Sequence, residues 1–343
     1  MKKINFTLTG IITAFLAIAV VVGFVYHTGR QRKPLVFAVI PDVTKDWADE
    51  ISKHNTVNIS IVDKGPFNWE QEKDLGKQGN SGWSNIDTDP NYIIYYKNDA
   101  LHLNVQNARR VQQIANEAMA EIEDLMGRYP YPSSFNGRKL PIYLASTAEE
   151  YSKTIDELAG KTCNSAGSIG MFVSHVGPLG FLADGIVLSP KCFNYELHPD
   201  TWAERVLRHE LNHFVFFSQL DYGKIQRHPL WVSEGLADYA SLMHREQIAS
   251  ADSIDYIANN CELFEQFPTE IQAQYWAGRS FYKFMEEEKG GIAVRTFIQD
   301  LYSNPLESAL NEVFNDTTDV KQLWVDNLRS RLTPTPDESL VQE

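Results

Sequence analysis

The stretch His209-Glu210-Leu211-Asn212-His213, followed after twenty residues by Glu234 within Trp231-Val232-Ser233-Glu234-Gly235-Leu236-Ala237-Asp238-Tyr239, constrains this chain more than any other feature. Two histidines four apart on a helix project from one face, one turn apart, so both imidazoles can reach a single point. Glu210 lies about 100° round from His209, beside that point but not aimed at it. Paired imidazoles with an adjacent carboxylate suit a zinc ion and a base that takes a proton from water on the metal. A bare H-E-x-x-H arises by chance in many helices. The second segment discriminates.

A catalytic zinc needs a third protein ligand and one open position. Glu234 is the candidate, on what reads as the next helix, with Ser233 at its N-cap position. Asp238 follows four residues later on the same face, where it could orient one of the histidines from behind. The longer pattern H-E-x-x-H-x-x-G-x-x-H fails, because Phe216 and Gln219 occupy its Gly and His positions. That leaves a site of two histidines and one glutamate. Two plainer readings stand beside it: a solvated helix face, or an ion pair of a glutamate with Arg205 or Arg208. Against them, Leu207, Leu211, Phe214, Val215 and Phe216 surround the trio with apolar side chains. Carboxylates and imidazoles buried there are costly without a metal or other partners.

These two segments resemble the gluzincin metallopeptidases, and most of all their bacterial peptidase MA-like branch. The Glu234-x-x-x-Asp238 spacing is also similar to that of thermolysin. The resemblance covers roughly 91–332 and is specific around the two zinc-bearing helices. It implies His209, His213 and Glu234 as ligands of one zinc ion per chain, Glu210 as general base and Asp238 as the residue behind a ligand histidine. It also implies a cleft with a strand-rich wall, the zinc helix as floor and the later helices as the opposite side.

At 343 residues the chain is long enough for one large domain or two modest ones. A net charge of −14 without a Lys/Arg-rich run argues against nucleic acid as a partner. Ile4 to Val25 is almost wholly apolar, carries no charge and is long enough to span a bilayer. A cleaved signal peptide is the rival, but Tyr26-His27-Thr28-Gly29 lacks the small-x-small cleavage pattern. The expectation is an uncleaved single-pass anchor. Basic residues on both flanks leave its orientation open, and the family resemblance implies a catalytic domain outside the cytoplasm. Cys163 and Cys192 could pair across a loop, with Cys261 left over; three reduced thiols are the alternative.

The organisation expected is 1–33 as membrane anchor and flanks, 34–90 as a small preamble and linker, 91–332 as the zincin-like domain, and 333–343 as a disordered tail. The preamble holds two apolar stretches, 35–40 and 57–62. Strands are expected at 91–96, 141–145, 168–173 and 185–188. A helical stripe from Val111 to Met126 ends at Gly127. The zinc helix opens with the capping-box pattern Thr201-Trp202-Ala203-Glu204 and runs to about Gln219. Further helices are expected near 234–247, 252–265, 271–289, 292–302, 305–314 and 318–331. Strands first and helices afterwards make an α+β domain.

The function expected is that of a membrane-anchored, zinc-dependent metallopeptidase acting on peptide or protein substrates. Glu210 takes a proton from the attacking water and returns it to the leaving amine. A catalytically silent zincin-fold binding or assembly module, or a zinc hydrolase acting on a non-peptide bond, are the alternatives. Glu210 favours catalysis, since zinc binding alone does not need it. The family resemblance implies a Tyr-bearing helix downstream of the ligands, which makes Tyr275, within Gln274-Tyr275-Trp276-Ala277-Gly278, the candidate hydrogen-bond donor to the oxyanion, with Tyr282 as alternative and core packing as the plainer reading. Aminopeptidases among the gluzincins hold the substrate's amino terminus with a Glu in a Gly-x-Met-Glu-Asn segment. The comparable stretch here, Ala183 to Ser189, lacks that glutamate but has strand character. It could pair with an extended substrate and favour internal cleavage, with Asp184 the one residue able to bind an amine instead.

Overall fold

The computed structural model describes residues 36–41, 82–97, 103–127, 139–160, 162–163, 165, 168–177, 180–193, 202–221, 228–241, 254–255, 258, 271–315 and 320–332. The apolar run 4–25, the stretch 57–62, Thr201, Cys261 and the tail 333–343 lie outside them, as does most of 252–265. Among the described residues no helix is long and apolar enough to cross a membrane.

The strands are β1 (Val36–Pro41), β2 (Ser84–Ile86), β3 (Tyr92–Tyr96), β4 (Leu140–Leu144), β5 (Ser168–Gly177) and β6 (Gly180–Leu188). They form one mixed sheet in the order β1-β5-β6-β4-β3-β2. β3, β4 and β6 run parallel, and the other pairs are antiparallel. Parallel neighbours need crossover connections, and helices α1 (Leu103–Met126) and α2 (Ala148–Ala159) provide them. The first half therefore interleaves strands and helices rather than placing strands first. The stretch 34–90 contributes β1 and β2 to this same sheet, so no break in the sheet falls at residue 91.

The sheet has period-2 faces, and the register shows how they are used. Ile94, Ile142, Ile186 and Phe172 stand side by side across β3, β4, β6 and β5, and all four are fully buried. They share a core with α1 and with the helix that bears the His-Glu motif. One residue along, Tyr143, Val187 and Met171 belong to the opposite face, under Tyr151 and Ile155 of α2. The sequence reading did not anticipate α2. Its signal is Thr147-x-x-Glu150: Thr147 accepts a hydrogen bond from the Glu150 amide, and the Glu150 carboxylate accepts one from the Ser146 amide.

The motif helix α3 (Trp202–Gln219) packs on β5 and β6. After it come α4 (Leu230–Ser241), α5 (Ile271–Lys289), α6 (Gly291–Asp300), α7 (Leu306–Phe314) and α8 (Val320–Leu332). Phe281 ties this half together, its ring 5.3 Å from Trp231, 5.5 Å from Trp324 and 6.1 Å from Phe297. α4 begins at Leu230, so Ser233 is not its N-cap. Ser233 lies in the first turn, where its hydroxyl donates to the Leu230 carbonyl.

One further expectation narrows, and one open alternative closes. β5 pairs along β6 on one side, while β4 pairs on the other side with residues 186–188, so those three have no edge to offer an extended substrate. On the outer edge of β5, β1 pairs along 168–173. Cys163 and Cys192 are not bridged to each other, and the Cys192 thiol donates to the Ile169 carbonyl.

Candidate metal centre

Helix spacing places His209 and His213 on one face of α3, and the packing of α4 across it brings Glu234 to meet them. The two Nε2 atoms stand 3.0 Å apart, and Glu234 Oε2 lies 3.3 Å from each. All three residues are buried. Ligands held at roughly 2.0–2.1 Å in a tetrahedral array stand about 3.3 Å from one another, so this triangle has the dimensions of one zinc ion's coordination shell. The donor set, two imidazole nitrogens and one carboxylate oxygen, is that of a catalytic zinc rather than a structural one. These residues fit the metal.

Asp238, four residues beyond Glu234 on α4, places Oδ1 2.8 Å from His209 Nδ1. A carboxylate there directs Nε2 toward the other donors and raises the basicity of the imidazole. In the metal-free protein burial opposes protonation of His209. The hydrogen bonds to Asp238 and Glu234 outweigh it and push the imidazole up to about 10. Burial likewise opposes ionisation of Glu234, but His213 and His209 hold its carboxyl down at about 2. His213 is shifted downward, chiefly by burial, and its ring stacks on Phe217. Glu234 is thus a carboxylate, and His213 a neutral imidazole, at neutral pH.

Glu210 points the other way, toward the sheet. Burial pushes its carboxyl well above the usual range, and Glu234 adds to the shift, while His209 and the backbone of Phe172 oppose it. An elevated pKa in a buried site beside a ligand cluster is what a proton-accepting carboxylate requires. Room for it comes from Gly170, which the sequence reading missed. Gly170 pairs with Leu188 one row beyond Phe172 and Ile186, on the face toward α3. A Cβ there would stand 2.5 Å from Val206 Cγ1 and 2.9 Å from Glu210 Oε1. No local pattern flags such a glycine, because its neighbours come from a helix more than thirty residues on.

Tyr275 on α5 is buried, with its ring 5.7 Å from that of His209. Burial chiefly raises its phenol well above the ordinary value, and Glu234, to which it is hydrogen-bonded, adds to the shift. Tyr282, the alternative, is elsewhere: its hydroxyl donates to the Val232 carbonyl at 3.0 Å. Arg208 does not pair with Glu210. Its guanidinium is committed to Glu204 and Glu121. Asp184 is buried against His175, with Oδ2 2.8 Å from Nδ1.

No family model matches the sequence, and no curated protein matches it significantly. Among solved structures the chain is similar to an M1 zinc metallopeptidase from Deinococcus radiodurans, at 14% identity and TM-score 0.38, over 71% of this chain and 50% of that one. Two-domain M1 zinc metallopeptidase variants, one bound to L-arginine and one to L-tryptophan, follow at 13% identity and TM-scores 0.37 and 0.32. They align over 71% of this chain and 51% and 50% of theirs. The chain spans about half the length of the structures it matches. At such low similarity the chemistry of this site rests on its own geometry.

The proton on His209 makes one consequence measurable. With its pKa near 10 in the metal-free protein, His209 is protonated at pH 7, and it must lose that proton to bind a metal. Zinc binding therefore releases a proton, and affinity rises with pH up to about 10. Calorimetric titration at pH 7 in buffers of different ionisation enthalpy should give heats that track the buffer. Identical heats in every buffer would contradict the assignment.

Proposed function

We propose that this chain is a zinc-dependent metallopeptidase that cleaves peptide bonds internally. The observation that carries the reading is the buried triangle of His209, His213 and Glu234, at tetrahedral ligand spacing with Glu210 beside it. A zinc ion held there supplies Lewis acidity, lowering the pKa of a water it binds to about 7 and polarising a carbonyl. Glu210 takes the proton of the attacking water and passes it to the leaving amine, for which its raised pKa suits it. Asp238 holds His209 in the tautomer that presents Nε2. Tyr275 donates a hydrogen bond to the developing oxyanion, a contribution of about 2.7–4 kcal/mol for one such donor in better-studied hydrolases.

Two observations favour internal cleavage over trimming from the amino terminus. The stretch Ala183 to Ser189 has no glutamate. Its one carboxylate, Asp184, is buried against His175, which commits it to a partner inside the fold.

The zinc-loaded protein should hydrolyse an acetylated peptide as well as the same peptide with a free amino terminus. Glu210→Gln should keep the zinc and lose turnover, whereas His213→Ala and Glu234→Ala should lose metal. Cleavage of the free form alone, one residue at a time, would reverse the internal-cleavage assignment. Zinc retention without hydrolysis of any peptide would point to the binding-module reading.

Membrane anchorage through 4–25, with the catalytic domain outside the cytoplasm, is part of the same proposal; its support is the uncharged apolar run. The full-length protein should stay with membranes through a carbonate wash and keep its first residues. A soluble protein with a new amino terminus near Gly29 would show a signal peptide instead.

A further inference from the structure

We propose that Gly278 is a positioning residue: its backbone contact with Gly235 sets how close Tyr275 stands to the metal ligands. The inference rests on the reading that Tyr275 belongs to the catalytic machinery. α4 carries Glu234, Gly235 and Asp238, and α5 carries Tyr275 and Gly278. The two helices touch backbone to backbone. A Cβ on Gly278 would stand 2.4 Å from the Trp231 carbonyl oxygen and 2.7 Å from Gly235 Cα. A Cβ on Gly235 would stand 2.3 Å from the Gly278 carbonyl carbon and 2.4 Å from its Cα.

No side-chain rotation relieves these contacts. The atoms met are main chain, and the Trp231 carbonyl lies in the helical turn closed by the Gly235 amide. Trp231 itself is fully buried in the core, which holds that end of α4 in place. Helices packed through side chains stand about 8–10 Å apart, and glycine on both sides of a crossing lets the backbones come closer.

The geometry links this crossing to the site. Tyr275 lies three residues before Gly278 on α5, and its hydroxyl bonds to Glu234, the residue before Gly235 on α4. Both helices thus meet at their glycines one step from the contact that matters. A methyl group at 278 needs normal carbon–oxygen separation, which moves α5 off α4 by roughly 1 Å. Tyr275 travels with α5, while Glu234, His209 and His213 stay with α3 and α4. At the start of α6 nothing lies within 4 Å of a Cβ on Gly291, so G291A is a control that leaves the crossing alone.

The experiment uses the full-length protein with G278A, Y275F, the double variant and G291A. Each is assayed for zinc content, for kcat and KM on one peptide, and for its visible spectrum with cobalt(II) in place of zinc. The expected result is that G278A keeps its zinc and loses about 100-fold in kcat, with KM little changed. The double variant should be no slower than Y275F, because the methyl acts only through the phenol. G278A and Y275F should shift the cobalt bands alike, and G291A should match the parent in every readout.

Losses that multiply in the double variant would overturn the positioning role while leaving Tyr275 in the machinery. A G278A variant with parental kcat and cobalt spectrum would overturn it too, as would one that fails to fold or loses its zinc. Full activity of Y275F would refute the catalytic reading of Tyr275, and the positioning proposal with it.

Discussion

Two imidazole nitrogens 3.0 Å apart, each 3.3 Å from the same carboxylate oxygen and all shielded from water, form the contact on which the architecture depends. Burying such groups together is costly unless something joins them. Both helices that carry them are therefore held from behind. The sheet supports α3 through Phe172 and Phe181, whose rings contact Phe214 and Phe217. α5 supports α4 through the glycine crossing and through Tyr282, whose hydroxyl holds the Val232 carbonyl two residues before Glu234. Positional accuracy at the triangle is inherited from elements that do not touch it.

Three buried acids within this small volume acquire different chemistry from their surroundings alone. Glu234 faces both imidazoles and is held ionised. Asp238 faces the back of one imidazole and fixes its orientation. Glu210 faces the sheet in the space left by Gly170, where burial pushes its carboxyl upward. One carboxylate suited to ligation, one to orientation and one to proton transfer thus arise from two helices and a missing side chain. Environment rather than residue type assigns each role.

What was legible in the sequence was local. The spacing of His209, Glu210 and His213 reports a helix face directly, and Glu234 with Asp238 repeats the argument one helix later. The apolar residues around the motif read correctly as a buried helix. Long-range pairing was not legible. How much of 183–188 is paired on both sides depends on which strands lie beside it, and β4 and β5 come from separate parts of the chain. Gly170, Gly235 and Gly278 read as ordinary glycines because what each excludes is a clash with a distant segment. Ser233 looks like a cap because a serine before a glutamate fits that role. The helix instead begins at Leu230, directly after Pro229, and the serine turns inward. The Tyr275 proposal drew on family likeness, and only the packing of α5 separates it from Tyr282.

One zinc ion is expected among His209, His213 and Glu234. Diffraction data collected on either side of the zinc absorption edge test it without any assumption about substrate. A single anomalous peak per chain is expected, within about 2.0–2.2 Å of His209 Nε2, His213 Nε2 and a Glu234 carboxylate oxygen. A peak elsewhere on the chain, or none in protein supplied with zinc, would contradict it.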